Sequence, residues 1–180
     1  MLIILSLLLT GAVNGMQISF DLCCGNVSVL TPDSFESLWK SVAKLENVER
    51  LNLEKNINIT YLNASVFSNF ENLQILELWK TKLSDIDKNA FQGLNSLTKL
   101  FLNENRLTQI KPGTFNGLEN LRVLDLSFNN LWSIDSNLVA NLSKLELISI
   151  NDNPSLLKNS LVEVKGLCKS TRNPKCKLYY

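Results

Sequence analysis

Glu77 and Asp125 are the two side chains of this sequence whose type and spacing come nearest to catalytic chemistry. They occupy one position of a repeated pattern, and two strand spacings would place them roughly 10 Å apart. Paired carboxylates at a similar separation cleave glycosidic bonds in inverting glycosidases. Here, however, they are expected on an open surface without a pocket, where neighbouring charges are ordinary. We therefore predict that the chain is not an enzyme.

Histidine, the side chain that most often moves protons near neutral pH, is missing from the sequence. Its absence removes the Ser-His-Asp and Cys-His nucleophiles and the usual histidine-containing zinc sites. The sequence also lacks a Gly-rich phosphate-binding loop. With 18 Lys plus Arg against 17 Asp plus Glu, it lacks the basic footprint of a nucleic-acid binder. We predict no cofactor, no metal and no nucleic-acid partner.

Four cysteines stand in two pairs, one near each end of the chain. Cys168 and Cys176 would close a short loop, and we predict a disulfide between them. Cys23 and Cys24 are sequence neighbours, which form a ring poorly. Either one of them pairs with a second chain, giving a disulfide-linked dimer, or the two are buried thiols or an unusual vicinal bridge. The spacing leaves these alternatives open.

The first 15 residues are predicted to be a secretory signal peptide, and the alternative is a buried N-terminal strand or helix. Leu2 to Leu9 form an apolar core that is too short to span a bilayer, and small residues precede Met16. No later segment is apolar enough to cross a membrane. N-glycosylation is predicted at four Asn-x-Ser/Thr sequons, Asn26, Asn58, Asn63 and Asn141. These features predict a secreted, extracellular glycoprotein.

Leucine and asparagine dominate the composition, with 35 and 23 copies, and this paired excess indicates a repeat. Residues 73–96, 97–120 and 121–144 align on the skeleton L-x-x-L-x-L-x-x-N-x-L-x-x-I-x-x-x-x-F-x-x-L, which has a period of 24 residues. An irregular copy, one residue longer, precedes them, and a partial copy begins at Leu145. We therefore predict about five repeats over residues 48–154.

The skeleton determines the elements that would position the side chains. In each repeat the L-x-L pair places two leucines on one face of a short strand, because strand side chains alternate. The strands stack in parallel, the phenylalanine fills the opposite wall, and the asparagine bonds turn backbone groups. The expected result is an α/β solenoid with its strands on the concave side. Thr81 stands where one repeat should have its asparagine, and we expect a weaker ladder there.

Both ends of such a solenoid need lids. At residues 16–47 we predict a hairpin of Ile18–Leu22 and Val27–Leu30, followed by a helix. At residues 155–180 we predict a helix that ends at Gly166, followed by a basic tail. Five stacked strands would separate the two lids by roughly 20 Å, so a disulfide between the two ends of the chain is not expected.

The repeat resembles the typical extracellular leucine-rich repeat of animals, because seven or eight skeleton positions recur in phase. Such repeats occur in Toll-type receptor ectodomains, matrix proteoglycans and secreted insect immune proteins. The short chain, the irregular first copy and the brief cysteine lid are most similar to the insect proteins. The resemblance implies an extracellular protein ligand and a role in innate immunity.

Function is expected at the variable positions of the concave face. Trp79, Phe101 and Phe128 stand out, because a solvated strand face has no structural use for three large aromatic side chains. Single surface apolar residues are nevertheless common, and Phe128 could instead pack back as a structural spine. Trp132, on the flank, is a weaker candidate. The predicted partner-binding set is Trp79, Phe101, Phe128, Glu77, Asp125, Lys99 and Ile75.

The leading functional prediction is a secreted recognition module that binds a protein through its concave face. The first alternative is a matrix or adhesion protein that binds glycans through its basic tail, which carries five cations and no acidic residue after Glu163. The second alternative is a soluble truncated receptor or decoy. Steep weakening by salt would indicate the basic tail rather than an aromatic anchor.

Overall fold

A computed structural model of the 180-residue chain describes residues 6–11, 16–21, 29–30, 48–135, 137–156, 161–171 and 173–180. Before residue 48, and in residues 161–165, only the backbone is described. The helix predicted before residue 48, together with Cys23, Cys24 and Asn26, falls outside the described residues.

Within the described residues, eight strands form the main sheet. In spatial order they are β1 (Ser6–Gly11), β2 (Met16–Asp21), β4 (Val48–Asn52), β6 (Ile75–Glu77), β8 (Lys99–Phe101), β9 (Val123–Asp125), β10 (Leu147–Ser149) and β11 (Lys177–Tyr179). Neighbouring strands are parallel except β1 and β2, which are antiparallel. A second, parallel sheet contains β3 (Val29–Leu30), β5 (Tyr61–Leu62) and β7 (Asp85–Ile86).

The 24-residue period places equivalent residues side by side on neighbouring strands. Leu76 pairs with Leu100, and Leu100 pairs with Leu124, in one column of the core. Both inward residues of each strand are fully or almost fully buried in every repeat, and burial of one leucine stabilises a fold by roughly 1.5–3 kcal/mol. The chain makes about four turns between β4 and β10, which confirms the predicted parallel-strand solenoid.

Phenylalanine side chains fill the wall opposite the strands. The rings of Phe67 and Phe91 lie 6.2 Å apart between centroids, and those of Phe91 and Phe115 lie 6.1 Å apart. All three are buried, and Val139 occupies the equivalent buried position in the next turn. The aromatic column adds stacking contacts to the area that it buries, so each turn is held to its neighbours on both walls.

Buried asparagines close the turn that follows the concave strand. The Asn129 amide donates to the carbonyls of Leu102, Leu126 and Ser127 at 3.0, 3.1 and 3.2 Å. Its oxygen accepts the Leu107 N–H at 3.0 Å. Because Leu102 and Leu107 belong to the preceding turn, one side chain satisfies backbone groups of two turns. The equivalent asparagines of the two neighbouring turns bond in the same pattern.

Thr81 replaces the ladder asparagine of one turn. Its hydroxyl lies 3.1 Å from the carbonyl of Leu78 and 2.9 Å from Oδ1 of Asn105. Among the described residues, no side-chain hydrogen bond links Thr81 to the preceding turn, whereas Asn105 reaches the Leu78 carbonyl at 2.7 Å. The ladder therefore lacks one bond where the irregular first repeat meets the second.

The N-terminal end differs from the predicted hairpin. Strand β2 pairs with β1 on one side and with β4 on the other, whereas β3 joins the second sheet beside β5. The predicted pairing of Ile18–Leu22 with Val27–Leu30 is therefore wrong. The physical reason is that β4 would otherwise present an unpaired edge, and β2 supplies its parallel neighbour.

Strand β1 lies inside the predicted signal peptide. In the uncleaved chain it pairs with β2 from Ser6 opposite Asp21 to Gly11 opposite Met16. Removal of residues 1–15 would leave β2 at the edge of the main sheet. Cleavage before Met16 stays a prediction.

At the C-terminal end, helix α1 (Leu161–Ser170) packs Leu167 into the core. The helix runs through Gly166, so the predicted end at this glycine is wrong, because one interior glycine costs a helix only about 1 kcal/mol. Cys168 of the helix is bonded to Cys176, with 5.4 Å between the Cα atoms. The tail then pairs as β11 with β10. Within the described residues, no helix combines the length and apolarity needed to cross a bilayer.

Candidate functional site on the concave face

Six strands of the main sheet each place one residue in a single row across the concave face. The row consists of Asn52, Glu77, Phe101, Asp125, Ser149 and Tyr179. Tyr179, which is half exposed, is a position that sequence analysis missed. The signal that could have found it is the alternation of Lys177, Leu178 and Tyr179, which is typical of a half-buried strand.

Glu77 is held by an ion pair within the protein. Its two carboxylate oxygens accept hydrogen bonds from Nε and Nη2 of Arg50, each at 2.7 Å. The Glu77 side chain is only 10% exposed, and its hydrogen bond raises the pKa of the Arg50 guanidinium above the usual value. Bidentate arginine–carboxylate pairs combine strength with a fixed geometry. Glu77 is therefore a structural support of the face, with both oxygens already bonded.

The ring of Trp79 is contacted by two lysines. Lys55 and Lys80 place their ammonium groups 5.3 Å and 5.1 Å from the centroid of the indole ring, within the range of cation–π attraction. Lys80 also forms an ion pair with Glu104 at 3.2 Å. The indole is thus a partly exposed side chain in a defined position, which is what a binding anchor needs.

Phe101 lies between the register positions of Glu77 and Asp125. Around it the concave face has a shallow depression of about 310 Å³. The depression is lined by Glu77, Trp79, Phe101, Asn103, Glu104 and Asp125. Four of the seven predicted partner-binding residues therefore meet at one place, in a depression that sequence analysis did not anticipate.

Asp125 is half-buried beside Phe101. Its Oδ1 accepts hydrogen bonds from the N–H of Ser127 at 3.0 Å and from the Ser127 hydroxyl at 2.6 Å. Its second oxygen has no hydrogen-bond partner within the part of the chain that the structure describes. Lys99 and Ile75 lie in the neighbouring row, each two residues before the residue of its strand that lines the depression. Lys99 is exposed and Ile75 is partly exposed.

Phe128 follows its concave strand and is 52% exposed, so it does not pack back as a buried spine. Its φ of 53° is left-handed, a rare conformation for a bulky side chain. The equivalent residue of every described turn is left-handed too, namely Lys55, Lys80, Glu104 and Asp152. The turn geometry therefore imposes this conformation. The ring of Phe128 is half exposed, so it contributes little buried apolar area. Trp132, 51% exposed, lies beyond the turn and outside the concave strands.

Comparison with protein families matches residues 46–107 and 96–154 to the leucine rich repeat family. The two matches together cover more than half of the chain. This chain is a leucine-rich repeat protein. The leucine-rich repeat protein is also similar to keratocan of Gallus gallus, with 42% identity over 62 residues, which are 33% of this chain and 17% of keratocan. Keratocan of Coturnix japonica matches with the same identity and coverage.

Two solved structures share the fold of this leucine-rich repeat protein. The leucine-rich repeat domain of APL1B has a TM-score of 0.55 and 25% identity, over 68% of this chain and 43% of that chain. The complex of TLR13 with ssRNA13 has a TM-score of 0.65 and 25% identity, over 91% of this chain and 21% of that chain. The chain therefore spans less than half the length of these relatives.

Three of the four predicted glycosylation sites of this leucine-rich repeat protein, Asn58, Asn63 and Asn141, lie away from its concave strands, and the fourth falls outside the described residues. Asn141 is exposed, and Asn58 and Asn63 are partly exposed. None of these three lies on a strand of the main sheet. In the described residues, no group of histidine, cysteine or acidic side chains could hold a metal ion.

Proposed function

We propose that this leucine-rich repeat protein is a secreted recognition module that binds an extracellular protein through its concave face. The observation that carries the proposal is the depression around Phe101, where two partly exposed aromatic side chains lie among charged groups and two lysines contact the ring of Trp79. Rigid aromatic residues dominate many protein–protein interfaces because they bury a large area at a small entropic cost. An open face of this kind suits recognition rather than catalysis.

Secretion and glycosylation belong to the same proposal. An extracellular chain would keep its Cys168–Cys176 bond oxidised. Glycans at the described sequons would project from surfaces other than the main sheet, which would leave the concave face accessible. A covalent dimer through Cys23 or Cys24 and a role in innate immunity stay proposals, the second resting on the sequence resemblance alone.

Glycan binding at the C-terminal end is the second candidate function. Lys169, Lys175 and Lys177 are exposed, and the last two line a depression of about 660 Å³. Glu146 and the apolar Val123 and Leu147 line it as well, which weakens its attraction for an anion. Binding there should fall steeply between 50 and 500 mM salt, because exposed charges are screened within a few ångströms at high ionic strength.

The proposed function is tested by affinity capture from the extracellular fluid of the producing tissue. We expect the native chain to retain a defined protein and the double variant Trp79→Ala, Phe101→Ala to lose it. Neither side chain belongs to the buried core, so the variant should stay folded, as circular dichroism would check.

A matched control removes two apolar side chains, one of them also a tryptophan, from other parts of the surface. Ile57 and Trp132 are 53% and 51% exposed and lie outside the concave strands. The variant Ile57→Ala, Trp132→Ala should retain the captured protein at the native level. Retention by the concave variant, or loss by this control alone, would contradict binding through the concave face.

A further inference from the structure

We propose that the depression around Phe101 receives a basic side chain of the protein partner, and that it prefers arginine to lysine. This inference rests on the proposed function, because it names the chemistry that the concave face would recognise. It goes beyond that function by assigning a residue class to the partner.

The charges that line the depression are all negative. Its rim carries the carboxylates of Glu77, Glu104 and Asp125, and none of the described lysines and arginines lines it. Glu77 is neutralised by Arg50, and Glu104 is paired with Lys80. Asp125 forms no ion pair with any described residue. Asp125 is therefore the one carboxylate of the lining that has no ion pair among the described residues, which favours a cation there and disfavours an acidic partner segment.

The protein itself shows how a guanidinium fits this face. Arg50 stands in register with Ile75, two residues before Glu77, and from that diagonal position it bonds Glu77 bidentately at 2.7 Å. Lys99 has the same diagonal relation to Asp125, yet the two form no ion pair. The carboxylate of Glu77 is thus paired with an arginine of the protein itself, whereas the carboxylate of Asp125 is not. A guanidinium of the protein partner could supply the missing pair.

The aromatic lining explains the preference for arginine. A planar guanidinium can stack on the ring of Phe101 while its fork donates to Asp125, whereas an ammonium group bonds as a compact point charge. The face of Trp79 already has two ammonium groups of the protein within 5.3 Å, so the ring on which a guanidinium of the partner would stack is that of Phe101. A volume of about 310 Å³ is at the lower end for a small-molecule cleft, which suits one long side chain.

The inference is tested by NMR titration of the ¹⁵N-labelled protein with N-acetyl-arginine methylamide at physiological salt. We expect saturable shifts of the Phe101 and Asp125 amides and of the Trp79 indole N–H. The citrulline analogue has nearly the same shape without the charge, and we expect it to bind roughly tenfold more weakly. The lysine analogue should fall between the two. Equal binding of arginine and citrulline, or no saturable shift with arginine, would overturn the proposal.

A matched pair of variants assigns the effect to Asp125. In Asp125→Asn the remaining oxygen can still accept the two bonds from Ser127, so the fold should be kept. Because the change also creates an Asn-Leu-Ser sequon, both variants are prepared without glycosylation. Asp87 has a similar bond, in which its Oδ1 accepts the N–H of Asn89 at 2.8 Å, but it lies outside the depression. We expect Asp125→Asn to weaken arginine binding roughly tenfold and Asp87→Asn to leave it unchanged. Equal effects would mean that net charge, and not this depression, binds the probe.

The two proposals fail in different ways. If the probe does not bind but the captured protein is lost in Trp79→Ala, Phe101→Ala, the concave face binds its partner without a basic anchor. If the probe binds but the captured protein is retained by that variant, the depression accepts arginine and the partner binds elsewhere. Each experiment therefore has its own contradicting result.

Discussion

Arg50 and Glu77 form the most buried of the ion pairs found in the described residues, with 40% and 10% of their side chains exposed. Replacement by Arg50→Ala would leave the Glu77 carboxylate almost buried and without its cation. We expect the free energy of unfolding to fall by roughly 1–3 kcal/mol, less than for a fully buried pair because Arg50 is partly solvated. Urea denaturation followed by circular dichroism measures this change.

Lys111→Ala is the control for that prediction. Lys111 bonds Asp85 at 2.9 Å, but both side chains are at least 40% exposed. Exposed pairs contribute between zero and about 1 kcal/mol. If the two alanine variants lose the same stability, the burial of Glu77 does not determine the strength of the Arg50 pair.

The raised pKa of Arg50 also fixes the sign of its pH dependence. A cation whose pKa is higher in the folded state stabilises the fold below its unfolded pKa, and the effect is lost as pH rises through the folded value. Both values lie in strongly alkaline solution. The stability difference between the native chain and Arg50→Ala should therefore stay constant from pH 7 to 9 in urea titrations. A fall over that range would contradict the assignment.

Sequence analysis could place single residues on the concave face but could not identify their contacts. Glu77 appears in the predicted binding set, yet its carboxylate is bonded by Arg50. The sequence does not reveal this pair, because a diagonal pair depends on side-chain rotamers. The left-handed φ of Phe128 could not be predicted either, because glycine and asparagine usually indicate such an angle and the residue here is neither. Conversely, the period alone predicted that Glu77, Phe101 and Asp125 are neighbours, since register follows from the spacing.

The asparagine ladder stabilises the turns as a connected element. In Asn129→Ala, the carbonyls and the N–H that this buried side chain satisfies would lose their partner. We expect a loss of roughly 2–4 kcal/mol in the free energy of unfolding. Asn130 is exposed, and Asn130→Ala should change stability by less than about 0.5 kcal/mol. Comparable losses in the two variants would mean that the ladder contributes little.

The repeats were predictable as elements, whereas their ends were not. Every repeat has several aligned copies from which its strand could be recognised, including the buried columns of Leu76 and Leu78. The segment before residue 48 has no such copies, and its short apolar runs suit a hairpin and a parallel neighbour equally well. Long-range pairing with β4 decided between these arrangements, and a local pattern does not contain that information.

For the whole molecule, reduction of Cys168–Cys176 should loosen one end and leave the repeats folded. The bond joins residues eight positions apart, and closure of such a loop is worth roughly 2–3 kcal/mol. Because solenoid repeats contact only their neighbours, the loss should stay local. Hydrogen exchange should accelerate more than tenfold in Lys177–Tyr179 and less than twofold in Ile75–Glu77.

The variant Cys168→Ser, Cys176→Ser separates this bond from the other cysteines. A reductant would also act on Cys23 and Cys24, whereas the double variant removes only the C-terminal bond. It should reproduce the exchange pattern without reductant. Uniform acceleration along the chain would show that the molecule unfolds as one cooperative unit.

The constant register of the strands also means that a whole repeat can be removed from the gene, or added to it, without disturbing the pairing of the other strands. Excision of residues 97–120 would bring β6 beside β9 with Leu76 facing Leu124, and the Asn129 amide would meet the Leu78 carbonyl in place of that of Leu102. Unequal recombination between two repeats therefore yields a chain whose new junction already fits. A shift of one residue at the same junction would turn the inward leucines towards solvent. Protein length in such a lineage is accordingly free to change in steps of 24 residues, and each step adds or removes one strand and thus one potential ligand contact in each row of the concave face.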